Sequence, residues 1–344
     1  MIYDLELDNF RNFAHRRFAF DTGDVVLTGV NGSGKTSVLE SIYYTSILRS
    51  FRRAGVREMV KLGEHGFSIN CRLNNGKVRT SLRVVEDISG KRELYIGGAR
   101  PGRSSDFIRE FRTVCFVPED REIVSGSSGN RRRFFDMLIS GVDPQYLKSL
   151  SDCMRALAQR NRALKGKTPE LARHFDNELA ERTPEISSKR LEYSRIISEN
   201  VNALLKSSGM KFEIRYICES SMEKDQNLRI LERNFVRDCQ RGCTMWGPQL
   251  DEFEFRLDGK NLRSFGSTGQ KGIITLLLKL AEFNIFRSRS AGSVIVLADD
   301  VLCDLDRKNS ELFLDTVREA DQRFFTFAEF PSFGNFGDLE CIKL

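Results

Sequence analysis

The chain opens on a period-two alternation. Met1-Ile-Tyr-Asp-Leu-Glu-Leu-Asp sets apolar against polar positions one by one, which predicts a strand with one face buried. Asn9-Phe-Arg-Asn-Phe interrupts it, and a second short strand is expected over Arg17–Phe20. Val25–Thr28 is a brief apolar, β-branched run, followed by apolar residues at helical spacing as far as Leu48. Alternation returns over residues 67–96. There Phe67–Leu73 and Val78–Val85 flank Asn74-Asn-Gly-Lys, a hairpin-turn signal. Leu94-Tyr-Ile-Gly-Gly and Val114-Cys-Phe-Val end this stretch, and Pro118 punctuates it.

From Glu119 to about Ser208 the apolar spacing changes to three and four. It predicts helices over Asn130–Gly141, Pro144–Lys165 and Pro169–Ser207, broken at Gly141-Val-Asp-Pro and Lys165-Gly-Lys-Thr-Pro. Their apolar stripes are those of a helical core. Strand character resumes at Lys211–Cys218 and Glu252–Leu257, the latter turning at Asp258-Gly-Lys. A helix is expected from Gly269 to about Arg287. The wholly apolar run Val294-Ile-Val-Leu-Ala then predicts a buried parallel strand. A helix over Arg307–Ala320 and a strand over Arg323–Phe327 complete the pattern. The expected fold class is α/β, with a mixed sheet. A nucleotide-binding lobe is assembled from residues 1–115 and 210–344, and a mainly helical lobe over 116–209 is inserted between its halves.

Between the Val25–Thr28 strand and the helix after it lies Gly29-Val-Asn-Gly-Ser-Gly-Lys-Thr36, a G-x-x-x-x-G-K-[ST] phosphate-binding loop. Gly29, Gly32 and Gly34 allow the backbone to wrap an anion, because glycine accepts positive φ without steric cost. The loop and helix N–H groups then face phosphate oxygens, Lys35 reaches the β/γ-phosphates, and the Thr36 hydroxyl ligates Mg²⁺. A plain Gly-rich turn would not need this strand–loop–helix order. Asp299 and Asp300, at the end of the apolar run, supply the carboxylates such a loop requires. Asp299 is expected on the metal side and Asp300 where a base orients water. Ser267-Thr-Gly269-Gln270 precedes the helix before that run. By itself it reads as ordinary capping. Its order with the two acids, and with Asp304-Leu-Asp306 after them, is that of an ATP-binding-cassette ATPase. In that architecture the serine loop caps the γ-phosphate held by a second subunit.

Composition adds limits. Net charge is +6 and hydrophobic residues make up 40%, so a large core is affordable and long disorder is not expected. Eight cysteines and three histidines show no zinc-ligand spacing. The most apolar stretch, Ile273–Ala281, is too short to span a bilayer, and the N-terminal alternation is unlike a signal peptide, so a soluble, cytoplasmic protein is expected. Charge is unevenly spread: ten Lys/Arg stand against four acids between Arg121 and Lys167, and Arg49, Arg52, Arg53, Arg57 and Lys61 form a second cluster. Concentrated cations on an otherwise mildly acidic chain suggest contact with a phosphate backbone. On this ground Arg52, Arg53, Arg131, Arg132, Arg133 and Arg160 are candidate DNA contacts, weighed against solvated helix faces and internal ion pairs. No base-reading motif is present, so sequence-independent binding is expected.

With these blocks in hand, the chain resembles the bacterial RecF family, in the SMC-like branch of the cassette ATPases, over essentially its whole length. The matching blocks include Leu7-Asp-Asn-Phe-Arg-Asn-Phe, Gly29–Thr36 and Leu39-Glu-Ser-Ile-Tyr. They continue through Phe116-Val-Pro-Glu-Asp, Arg131-Arg-Arg-Phe-Phe-Asp, Ala156–Asn161, Gly247-Pro-Gln-Leu-Asp-Glu, Ser267–Gln270 and Asp299-Asp300. Phe51, Gln249 and Leu250 depart from the family's His, His and Arg, and Lys271-Gly272 departs from its usual pair after the signature. The resemblance implies ATP and Mg²⁺ as cofactors. Gly29, Val30, Asn31, Gly32, Ser33, Gly34, Lys35, Thr36, Ser37, Arg11, Asn12, Ser267, Gly269, Gln270 and Asp306 would surround the nucleotide. Thr36 and Asp299 would hold the metal, and Lys35 and Asp300 would be catalytic. It further implies a weak, DNA-stimulated ATPase that dimerises with ATP on gapped or junction DNA, assists RecA loading and SOS induction, and works with RecR and RecO. An SMC-like switch of a defence or regulatory system is the alternative.

Overall fold

The computed structural model describes residues 1–21, 23–74, 79–166, 168–289, 292–328 and 339–344. The hairpin turn expected at Asn74-Asn-Gly-Lys lies mostly outside them. The chain divides into two compact units, one of Met1–Asp120 with Glu282–Leu344 and one of Arg121–Ala281.

The first unit begins with strands β1 (Ile2–Phe10), β2 (Phe13–Ala19) and β3 (Asp24–Thr28), then helices α1 (Lys35–Ile47) and α2 (Val56–Met59). Strands β4 (Gly66–Asn74), β5 (Arg79–Asp87) and β6 (Arg92–Ile96), helix α3 (Ser104–Phe107) and strand β7 (Phe111–Phe116) follow. In the second unit come α4 (Arg121–Ser125), α5 (Ser128–Val142), α6 (Pro144–Lys165), α7 (Asp176–Leu205), strand β8 (Phe212–Ile217) and α8 (Lys224–Arg241). Strands β9 (Glu252–Leu257) and β10 (Lys260–Asn261) and helices α9 (Leu262–Phe265) and α10 (Thr268–Arg289) close it, α10 carrying the division point. The chain returns to the first unit with β11 (Ser293–Asp299), α11 (Arg307–Val317), β12 (Gln322–Phe327) and β13 (Leu339–Lys343).

The mixed strand orientation is divided between sheets. The order β2-β1-β4-β5-β6 is antiparallel throughout, and β13-β3-β12-β11-β7 is parallel throughout. The antiparallel sheet buries one face: Leu5, Leu7, Ile69, Cys71, Leu82 and Val84 are wholly covered. Its other face pairs charge with charge, as where Asp4 accepts from Arg17 and Arg72. That is why these strands alternate in the sequence. The parallel sheet is covered on both faces, so β3 and β11 read as continuous apolar runs. Its register sets β11 beside β7, with Ala298 opposite Phe116, and beside β12, with Asp299 opposite Thr326.

The division differs from the expected boundary after residue 209. Residues 210–281 fall with the helices, because β8 and β9 pack on them. The Phe135 ring of α5 stacks on Phe253 at 3.8 Å, and Asn202 of α7 exchanges hydrogen bonds with the backbone of Phe212. Helix α8 was not among the expected elements, although Leu228, Leu231 and Phe235 stand at helical spacing; two of its three buried positions, Asn227 and Asp238, are polar. Among the described residues no helix is long and apolar enough to cross a membrane.

Candidate functional site: a phosphate-binding loop and its metal-side carboxylates

Parallel strands β3 and β11 end at the same edge of the sheet, with β12 between them. Ligand sites in open α/β sheets form beyond such carboxyl ends. The loop after β3 turns into α1 through Gly29, Gly32 and Gly34, all at positive φ (151°, 86° and 108°). Only glycine fits at Gly34, since a Cβ there would stand 2.5 Å from the Phe13 ring and 2.9 Å from the Asn12 amide. The Asn12 side-chain amide donates to the carbonyls of Gly32 and Ser33 (3.4 and 3.3 Å), bracing the loop from the β1–β2 hairpin. Lys35, nearly buried, folds its Nζ over the loop and donates to the carbonyls of Gly29 (2.7 Å) and Val30 (3.2 Å).

The acidic end of the site is built from three elements. Thr36, in the first turn of α1, donates its hydroxyl to Asp299 Oδ1 at 2.9 Å, closing a contact across 263 residues. Thr326, at the end of β12, donates to the same oxygen at 2.8 Å and accepts from the Asp300 N–H at 3.0 Å. Burial raises the Asp299 carboxyl above its ordinary value. The Thr326 and Thr36 hydroxyls work against that rise, the Asp300 charge adds to it, and the Arg52 charge opposes it. Asp300 leaves the strand in a left-handed conformation (φ 54°), which swings it away from the sheet.

A cavity of about 960 Å³ opens over this edge. Arg11, Asn12, Asn31, Gly32, Gly34, Lys35, Thr36, Ser37 and Asp300 line it, and Arg52, Arg57 and Lys61 add further cations. The residues fit a magnesium nucleotide. Ser33 Oγ is buried inside the loop without a hydrogen-bond partner among the described residues. A hydroxyl beside a carboxylate is also the hard-oxygen donor pair that Mg²⁺ takes together with substrate phosphates.

Of the other sequence-derived residues, Ser267 and Gln270 belong to the second unit and Asp306 to the first. Ser267 and Gln270 cap α10 reciprocally: the Ser267 N–H donates to Gln270 Oε1 (2.9 Å) and the Gln270 N–H to Ser267 Oγ (3.2 Å). Phe265, just before them, is 73% exposed. Asp306 does not line the cavity. It caps α11, accepting from the Asn309 backbone (2.8 Å) and side chain (3.0 Å).

The candidate DNA contacts fall in different surroundings, some buried and some exposed. Arg131 is buried, in a fork with Glu252 (2.8 and 3.0 Å) and a bond to the Gly126 carbonyl. Arg160 is fully buried against Asp176 (2.7 Å), Asp238 (2.7 Å) and Thr244 (2.8 Å). Arg132 is half-buried and donates to the Asp251 carbonyl, and Arg133 is half-buried. Charges held this way would have to break buried pairs to meet a phosphate. Arg53 is exposed, and Arg52 lines the cavity. Thr326 was missed, because only sheet register brings the end of β12 beside Asp299. Phe51, where the resembling family has histidine, sets its ring edge-to-face on Tyr43 at 5.5 Å.

Comparison with known proteins places this geometry. A family model described as RecF/RecN/SMC N terminal domain matches residues 1–328. The DNA replication and repair protein RecF of Lactobacillus delbrueckii subsp. bulgaricus is 31% identical over 348 residues, spanning 94% of this chain and 89% of that protein. The RecF protein of Leptospira interrogans is 32% identical over 331 residues, spanning 94% and 90%. A solved structure of the recombination mediator protein RecF-ATP in the RecFOR pathway superposes with a TM-score of 0.90 at 26% identity, covering 99% of this chain and 95% of that one.

Proposed function

The chain belongs to the RecF family and has its ABC-type ATPase fold, and from this premise we propose that it is an ATP-dependent DNA-binding protein of replication and recombinational repair. One observation carries the nucleotide half of the reading: the Thr36–Asp299 hydrogen bond joins the phosphate loop to the acidic strand end. In this reading Thr36 and Asp299 hold Mg²⁺, and the loop N–H groups and Lys35 bind the phosphates. Bound ATP supplies a phosphoanhydride bond, and Asp300 accepts a proton from, or orients, the attacking water.

Ser267, Gly269 and Gln270 present a hydroxyl and the N-terminus of a 22-residue helix. Such a terminus favours an anion, and in this reading the anion is the nucleotide of a second copy. ATP then acts as a dimerisation switch, and the dimer engages gapped or junction DNA without reading bases. Work alongside RecO and RecR, RecA loading and SOS induction belong to the same reading, as does a slow, DNA-stimulated hydrolysis in the cytoplasm.

Sizing the protein in solution with and without ATP and gapped DNA tests it. ATP is expected to convert monomer to dimer, and DNA to raise the dimer fraction. Ser267→Arg is expected to keep ATP binding and lose ATP-dependent dimerisation. A Ser267→Arg protein that still dimerises with ATP removes the capping role.

A further inference from the structure

Behind the phosphate loop lies a buried node that nucleotide binding by the loop itself does not require. Glu40, on the second turn of α1, is wholly buried, yet it is ionisable and sits in the very helix that carries Lys35 and Thr36. Its two oxygens take a fork from Arg11, Nε to Oε2 and Nη2 to Oε1, both at 2.7 Å. Oε1 also accepts from the Ser50 hydroxyl at 2.5 Å, and Ser50 Oγ in turn accepts from the Arg52 backbone N–H at 3.0 Å. One carboxylate thus anchors two segments, the β1–β2 hairpin and the turn after α1, and each presents an arginine to the nucleotide cavity.

The two arginines keep donors to spare. Arg11 spends two N–H groups on Glu40 and one on the Glu58 carbonyl (2.7 Å), so two of its five remain. Arg52 is exposed, faces the cavity and forms no ion pair among the described residues. The backbone around both is held against its preference. Arg11 opens the two-residue hairpin loop at φ 55° and Arg53 follows Arg52 at φ 60°, conformations usually left to glycine or asparagine. Non-glycine residues stay there only when their surroundings over-determine them, and such strain gathers at ligand sites.

Resting on the nucleotide reading above, we propose that Glu40 is a positioning residue. Acting through its fork with Arg11 and through Ser50, it sets Arg11 and Arg52 as a two-sided guanidinium clamp on the nucleotide's polyphosphate. The ligand chemistry is that of Arg–phosphate pairing, which rewards a planar donor fork held in place. Because Glu40 rides on α1, the clamp is registered to the same helix that supplies Lys35 and Thr36.

The experiment is a double-mutant cycle on ATP affinity, measured by titration calorimetry with Mg²⁺ present. Ser50→Ala leaves the Glu40–Arg11 fork in place and unties only the Arg52 turn, which avoids uncovering a buried charge. Ser50→Ala and Arg52→Ala are each expected to weaken ATP binding, Arg52→Ala roughly tenfold. The double variant is expected to bind no more weakly than Arg52→Ala alone, because Ser50 acts through Arg52. Affinity for AMP is expected to change less than affinity for ATP, which a general loss of structure would not produce. Losses that add in full, or a Ser50→Ala protein with unchanged ATP affinity, overturn the proposal. Lys35→Ala is the companion control. If it too binds ATP normally, the nucleotide reading itself has failed; if it loses binding while the cycle is additive, only the clamp has failed.

Discussion

At the scale of single residues, the Thr326 hydroxyl is the small group on which both acids depend. It donates to Asp299 and accepts from the Asp300 N–H. Thr326→Val keeps the shape and removes both bonds. The expected cost is about 1–3 kcal/mol of stability, since a buried donor and a buried carboxylate each lose a partner. Chemical denaturation of the two proteins measures it, and an unchanged midpoint would mean the hydroxyl holds nothing. Arg160 makes the opposite point, that a cation in a basic stretch of sequence can be purely internal. Arg160→Met leaves Asp176 and Asp238 facing an uncharged side chain and is expected to destabilise by about 3–5 kcal/mol. On the DNA-binding reading, the salt dependence of that binding is expected to stay the same. A change in that dependence, measured where the variant is still folded, would return Arg160 to the DNA surface.

Among elements, α6 was legible almost to the residue, and its first turn explains why. Asp143 caps it, accepting from the N–H groups of Gln145 and Tyr146 (3.0 Å each), with Pro144 in the first turn, where no backbone donor is missed. Burial pushes the Asp143 carboxyl up. The Tyr146 N–H and the Lys189 ammonium, 3.2 Å away, more than offset this, so its pKa lies below the ordinary value. A depressed folded pKa means stabilisation that is complete above the unfolded value of about 3.9 and is lost as pH falls through the folded one. Asp143→Ala is expected to cost about 1 kcal/mol near neutral pH and progressively less in acid. Melting curves from pH 7 down to pH 3 follow it, and a gap between variant and parent that widens in acid would contradict the assignment. Helix α8, by contrast, was not expected. Asn227 and Asp238 occupy its buried face because their partners wait elsewhere: Ala180 and Ser221 for the one, Arg160 and Met245 for the other. Leu228, Leu231 and Phe235 keep a helical rhythm, but the face they share also buries polar residues whose partners lie in other segments.

For the molecule as a whole, the question is where its excess positive charge is available. With Arg131 and Arg160 internal, the exposed cations of the basic stretch include Lys148, Arg155 and Arg162 on α6. Seven-residue spacing returns to nearly the same direction on a helix, so the three form one stripe. Arg155 is paired with Asp152 at 2.8 Å. On the DNA-binding reading, replacing Lys148 and Arg162 together by alanine is expected to weaken binding across all sequences. It should also lower the slope of log affinity against log salt by about two. A slope that does not move places the DNA surface elsewhere.

Sequence alone determined the parts whose chemistry is local. A phosphate loop needs its glycines, lysine and threonine in consecutive positions, so Gly29–Thr36 could be recognised from eight letters. A buried parallel strand ending in acids, Val294–Asp300, is equally contiguous. Tertiary structure alone decided which charges face outward and which distant residues meet. Sheet register brought Thr326 to Asp299, and burial turned Arg131 and Arg160 from surface candidates into internal pairs. A two-residue hairpin and the turn after α1 converged on Glu40. An arginine looks the same in sequence whether it meets water, a carboxylate or a phosphate. Only the folded chain sets the burial and the neighbours that separate those outcomes, because electrostatic energy depends on position in space and not on order along the chain.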